Sequence, residues 1–254
     1  MHEWPVPSPR ATVVLVHGLG EHAGRYAHVA AALNRDGFSV VGYDHAGHGT
    51  SPGGRGVIAH RDALLDDLAK IVDRVQGRVI LLGHSMGGVV AARFVAGNIR
   101  KVDALILSSP ALDPGLNVAK RLAVRVLDRI APNLQTRNGL DASKVSHDPE
   151  VVRDYKADPL NHDKATARLV KFIIDGGEYV LARAPRWSVP TLLMWAGADR
   201  LVSPRGSARF AAAAPPDVVT AHELPSAYHE IFNEAEPLRG EAFATMSRWL
   251  ARLP

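Results

Sequence analysis

The 254-residue chain has no cysteine, which excludes disulfides, thiolate metal sites and a cysteine nucleophile. It has no apolar run near the roughly 18 residues a membrane helix needs. No His-Glu-x-x-His pattern is present to suggest a zinc hydrolase, although His17, His22, His28, His45, His48, His60 and His84 crowd the first third of the chain. Basic residues never cluster in a block of about five or more. The excess of 30 Lys and Arg over 26 Asp and Glu, a formal charge of +4, is diffuse and points away from a nucleic-acid partner. The start, MHEWPVPSPR, carries an acid and three prolines where a secretory signal would need a basic end and an apolar stretch, so a cytoplasmic protein is expected. There is no internal repeat, low-complexity tract or flexible linker. With 46% hydrophobic and 22% charged residues, the composition is that of an ordinary globular enzyme.

Short apolar runs alternate with helical patterns. Residues 11–18, 38–44, 78–85, 103–110, 190–197 and 217–224 read as strands, nearly continuously apolar as in a parallel sheet covered on both faces. Between them, Tyr26, Val29, Ala30 and Leu33 recur at helical spacing before Gly37, and Leu64, Leu65, Leu68, Ile71, Val72 and Val75 do the same. The last helix carries Phe243, Met246, Trp249 and Leu250 on one face. This alternation predicts a doubly wound α/β fold with a mostly parallel sheet.

The alternation stops at residues 112–186, which read as turns and helices without a strong strand. The expected division is a core of 1–111 and 187–254 with 112–186 as an insertion. Within it, Val118 to Ala131 forms an amphipathic stripe through Leu122, Val126 and Ile130, with Lys120, Arg121, Arg125 and Arg129 largely on other faces. Packing against the core is the ordinary fate of such a stripe; facing an acyl chain, or resting on a lipid surface with arginines near headgroups, are the alternatives.

The segment Gly83-His84-Ser85-Met86-Gly87 matches G-x-S-x-G, with a predicted strand before it and a helix after it. That context is what a nucleophile elbow needs: a strained turn between small residues, exposing the serine Oγ above the sheet beside a helix N-terminus. A serine is a poor nucleophile without a base, so an acid and then a histidine should follow at later strand ends. Asp199 and His229 occupy those places. Asp217 starts a strand, Asp175 lies in the insertion and His222 lies within a strand, so none fits the ligand-binding edge. An oxyanion hole needs two backbone N–H groups. Met86 supplies one, and Leu19 in the turn His17-Gly18-Leu19-Gly20 is the expected second. Asp44 and His48, in a glycine-rich turn, are expected to fix loops.

Five motifs in order, HGLGEHAGRY, DHAGHGTSPGGRG, GHSMGG, GADRLVSP and YHEIFNE, resemble those of monoacylglycerol lipases and related lysophospholipase-like serine hydrolases. The resemblance implies an α/β-hydrolase fold with a helical cap insertion and a Ser85, Asp199, His229 triad. It implies oxyanion donors Leu19 and Met86 and no metal or organic cofactor. Glu21 and Arg25 match positions flanking the polar end of the family's pocket, although an ion pair between residues four apart is an equally good reading. His84 is taken with them as a substrate-binding candidate. The expected activity is hydrolysis of single-acyl lipid esters, with monoacylglycerol first. A lysophospholipase, a broad carboxylesterase, a peptidase acting on N-terminal residues, or a ligand-binding protein on the same fold are the alternatives. Transient contact of the insertion with a membrane surface is compatible with this activity.

Overall fold

The computed structural model describes residues 1–253. The main sheet is built from β1 (His2–Trp4), β2 (Thr12–Val16), β3 (Ser39–Tyr43), β4 (Val79–His84), β5 (Ala104–Ser108), β8 (Thr191–Ala196) and β9 (Val219–Leu224), in the order β1-β3-β2-β4-β5-β8-β9. Every neighbouring pair is parallel except β1 with β3. The expected α/β fold is therefore present, with one strand the sequence pattern missed: β1 is three residues long and lies among prolines that mask it.

Alternate residues of the central strands β2, β4, β5 and β8 enter different cores, as the period of two requires. Val14, Val16, Leu81, Leu105, Leu107 and Leu193 pack on one face. There they meet α2 (Ala63–Val72), α3 (Met86–Ala96), α6 (Ala167–Arg183) and α7 (Pro204–Ala213). Val13, Leu15, Ile80, Leu82, Ile106 and Leu192 face α1 (Ala27–Arg35) and α8 (Leu238–Leu250) on the other side. Burial on both faces explains why these strands read as unbroken apolar runs rather than alternating ones.

The insertion after β5 holds α4 (Val118–Ile130), β6 (Gln135–Arg137), α5 (Pro149–Ala157), β7 (Lys164–Thr166) and then α6. Where turns and helices alone are expected it also contains strands: β6 and β7 pair antiparallel from Gln135 with Thr166 to Arg137 with Lys164. Its last helix is also different in kind, because Leu169, Phe172, Ile173 and Val180 of α6 belong to the core cluster around α3. The α4 stripe departs from the packing expectation as well. Val118 is 82% exposed, Leu122 60% and Ile130 73%, and of its residues only Asp128 is buried. Among the described residues, no helix is long and apolar enough to cross a membrane.

Candidate active site

Ser85 stands between β4 and α3 with φ 53° and ψ −119°, a conformation costly for a residue with a side chain. The surrounding bonds hold it there: Ser85 N–H donates to the Ser108 carbonyl (3.1 Å), and the Ser85 carbonyl accepts from Val89 (3.2 Å) and Ala111 (3.0 Å). Gly87 permits the tight passage, since a methyl there would run into the Val16 carbonyl oxygen. The turn thus has the geometry of a nucleophile elbow. Met86 is buried as the first residue of α3, so its N–H belongs to the unpaired first turn of that helix.

Asp199 follows β8 and His229 follows β9, both at carboxyl ends of parallel strands. Their side chains meet, His229 Nδ1 lying 2.6 Å from Asp199 Oδ2, and both are almost completely buried. The other carboxylate oxygen, Oδ1, accepts from the N–H groups of Leu201 (2.8 Å) and Val202 (3.0 Å). Burial alone would push the His229 imidazole down; the charge and hydrogen bond of Asp199 outweigh it and leave it above the ordinary histidine value. Burial likewise acts to raise Asp199, but the charge and hydrogen bond of His229 and the two N–H groups hold it below the ordinary carboxyl value. Ser85 and His229 line the same cavity of about 410 Å³, a size suited to a small organic ligand.

Gly18, Leu19, Glu21 and His84 line that cavity too, whereas Arg25 stands behind it. The ion pair between Glu21 and Arg25 (2.5 Å) is buried, and Glu21 reaches the cavity wall. Glu21 Oε1 accepts from Gly18 N–H (2.6 Å) and from the Tyr26 hydroxyl (2.6 Å), which ties the donor turn down. Burial works to raise the Glu21 carboxyl, but Arg25 dominates the neighbouring charges that bring it down to about 2. The His84 ring lies 4.7 Å from that of His229 and its Nδ1 is 3.1 Å from Ser108 Oγ. Burial, followed by the charge of His229, pushes His84 down to about 4, so it is neutral at pH 7.

Two carboxylates that sequence reasoning left without a role shape this site. Glu230 takes a bidentate bond from Arg25 (2.8 Å to each oxygen), joining the donor turn to the histidine loop. Glu234 accepts from the N–H groups of Tyr228 (2.5 Å), His147 (3.1 Å) and Ala235 (2.9 Å) and fixes the turn that carries His229. Both lie inside the YHEIFNE motif, but nothing local distinguishes them from exposed acids. Asp44 holds the glycine-rich turn through Ala23 N–H (2.9 Å) and both Thr50 donors (2.9 and 3.0 Å), the loop-fixing part expected of it. Of the rejected alternatives, Asp175 pairs with Lys171 and His222 with Glu241, away from this cavity.

The insertion is bonded directly to the donor turn. His162 N–H donates to the Gly20 carbonyl (2.8 Å), and a side chain at Gly20, which has φ 77°, would strike the His162 carbonyl. His22 pairs with Asp158 at 2.9 Å, and Glu230 N–H donates to the Val145 carbonyl at 2.8 Å. Three histidines of the first part of the chain cluster, joined by His162 of the insertion. His17, His45, His48 and His162 pack ring against ring, with centroids 4.5 Å apart for His17 and His45 and 4.6 Å for His48 and His162. Desolvation drives His48 down to about 3. Among the described residues, no group of three or more His, Asp or Glu is arranged to hold a metal ion.

The sequence model for serine aminopeptidase S33 matches residues 7–236. The chain belongs to the serine aminopeptidase S33 family. S33 relatives include a monoacylglycerol lipase from Mycolicibacterium smegmatis, 37% identical over 91% of this chain and 85% of that protein. Phospholipase YtpA of Bacillus subtilis is 31% identical over 93% of this chain and 94% of that protein. The crystal structure of Paleococcus ferrophilus monoacylglycerol lipase superposes with a TM-score of 0.91 at 35% identity, covering 100% of both chains. The chain thus carries the α/β-hydrolase fold that its motifs imply.

Proposed function

We propose that the protein hydrolyses monoacylglycerols to fatty acid and glycerol through an acyl-enzyme on Ser85. The observation that carries this reading is the buried His229–Asp199 pair opening onto the same cavity as a positive-φ serine elbow. His229 Nε2 takes the Ser85 proton as Oγ attacks the ester carbonyl, while the Leu19 and Met86 N–H groups hold the oxyanion. The C–O bond to glycerol then breaks and glycerol leaves with the proton from His229. Water repeats the sequence on the acyl-enzyme and releases the fatty acid. Asp199 orients the imidazole and stabilises its charged form. Glu21, with Arg25 behind it, and His84 border the substrate. No metal or cofactor takes part.

Residues 113–166 act as the cap in this reading, while α6 serves the core. The cap contributes Leu140, Ala142 and Val145 to the cavity wall, where an acyl chain finds apolar contact. Outside, α4 presents Val118, Leu122, Val126 and Ile130 together with Lys120, Arg125 and Arg129. An exposed apolar face flanked by cations suits the surface of an anionic bilayer, from which a poorly soluble substrate must be drawn. The likeness to monoacylglycerol lipases supports the substrate, and the phospholipase relative makes lysophospholipid the competing choice. The test is turnover of monoacylglycerols, lysophospholipids and simple esters over a range of acyl lengths. Highest kcat/KM on a monoacylglycerol supports the reading; equal rates on short water-soluble esters would remove the lipase assignment.

A further inference from the structure

The inner end of the cavity carries a charge arrangement with a consequence for selectivity. Glu21 and Glu230 both line the cavity, both are buried, and they share the single guanidinium of Arg25, which does not line it. Two carboxylates against one cation leave this end with a net charge of about −1. The other groups around it do not offset this charge: Tyr26 donates to Glu21, Asn233 Nδ2 donates to Glu230 (2.8 Å), Tyr155 is a neutral phenol stacked on Arg25, His84 is neutral at pH 7, and any positive charge on His229 is matched by its partner Asp199. The remaining charged groups of the wall belong to the cap. Lys156 and Asp163 are exposed, and Asp158 is paired with His22.

An acyl chain pressed against Glu21 and Glu230 would set their net charge against hydrocarbon without returning a hydrogen bond, so the alcohol half of the ester takes this end. Hydroxyl groups there can donate to carboxylate oxygens. A phosphate can only accept from a wall that offers mostly acceptors, and its charge has the same sign as the wall.

We propose that the Glu21–Arg25–Glu230 cluster is a charge filter, admitting esters of uncharged alcohols such as glycerol and rejecting those whose alcohol carries an anionic phosphate. This rests on the ester-hydrolase reading above and narrows it, setting lysophosphatidic-acid-like esters outside the substrate range. During reaction the same negative field favours the imidazolium form of His229, so the filter is compatible with turnover of neutral esters.

The experiment compares hexanoyl glycerol with hexanoyl glycerol phosphate. Both are water-soluble, so attraction of anionic aggregates to the basic face of α4 cannot enter. Wild-type kcat/KM is expected to be at least about tenfold higher for the neutral ester, the effect of one like charge at close range. Glu230→Gln keeps the shape and removes one charge, and is expected to narrow that ratio at least about threefold. A filter based on size would leave the ratio in the variant unmoved, and that result overturns the proposal. Equal wild-type kcat/KM on the two esters overturns it without any variant, so a Glu230→Gln protein that does not fold still leaves a decision. Absence of turnover of either ester by the wild type, or turnover that survives Ser85→Ala, instead refutes the ester-hydrolase reading on which the filter stands.

Discussion

Replacing Arg25 by methionine isolates the electrostatic joint between the donor turn and the histidine loop. The Arg25 side chain is 11% exposed and its partners Glu21 and Glu230 are 3% and 6% exposed, so all three charges were taken out of water on folding. Methionine fills much of the same volume but leaves two buried carboxylates without their counter-ion, a change that costs about 3–5 kcal/mol for a broken buried pair. The Glu21 carboxyl gives a second route to the number. Arg25 leads the charges that hold it at about 2 against an ordinary 4.5, and at about 1.36 kcal/mol per pH unit this gap is worth about 3 kcal/mol at neutral pH. The sign with pH follows. In the wild type this stabilisation is complete above 4.5 and is lost only as pH falls toward 2. In Arg25→Met the Glu21 carboxyl keeps its bonds from Gly18 and Tyr26 but loses the leading charge that opposes desolvation, so its folded-state value rises above the unfolded one and the penalty is relieved as falling pH protonates it. Urea unfolding, followed by the fluorescence of the buried Trp187, Trp195 and Trp249, is expected to show a loss of about 3–5 kcal/mol at pH 8 that shrinks by pH 5.5. Adding Glu230→Gln should recover part of it. A loss below about 1 kcal/mol, or one independent of pH, would refute the reasoning.

Asp199→Asn should lower kcat by about 10⁴-fold, because the imidazole loses both its orientation and the charge that stabilises its protonated form. The wild-type kcat/KM profile should rise with pH through a midpoint above 6.5, set by the raised His229, and the residual activity of the variant should have its midpoint displaced downward, since burial then prevails. Acid should unfold the protein steeply. His48 and His84 lie at about 3 and 4, so near pH 5 both are protonated in the unfolded chain and neutral in the folded one. The stability they give is complete above 6.5 and falls below it, by about 2.5 kcal/mol per pH unit near pH 5, measurable as the pH dependence of urea unfolding. Leu122→Glu with Ile130→Glu should weaken sedimentation with phosphatidylglycerol vesicles at least about tenfold; unchanged binding would exclude α4 as the membrane face.

Why some of this was legible and some not is visible in particular residues. Ser85 and Asp199 stand out because each follows a strand that an apolar run reveals, His229 because it follows the last strand candidate in chain order, and the fold brings the ends of β4, β8 and β9 to one edge. Strand β1 and the β6–β7 pair are three residues each, too short for alternation to rise above composition. The α4 stripe fits core packing, an acyl chain or a lipid surface alike, because periodicity records only that one face is apolar; what covers that face is decided by tertiary structure, and here it is left open to solvent. The same limit applies to charge. Glu230 meets Arg25 across 205 residues, and neither flank carries a sign of that pairing, whereas the Glu21–Arg25 pair was open to view from its spacing of four.

The most direct test is whether Ser85 is the nucleophile that the buried His229–Asp199 pair serves. Mass spectrometry of the protein treated with a fluorophosphonate should find the phosphonyl adduct on Ser85, with labelling abolished in Ser85→Ala and strongly slowed in His229→Ala. A probe that labels Ser85→Ala as fast as the wild type, or that modifies a different residue, would contradict it.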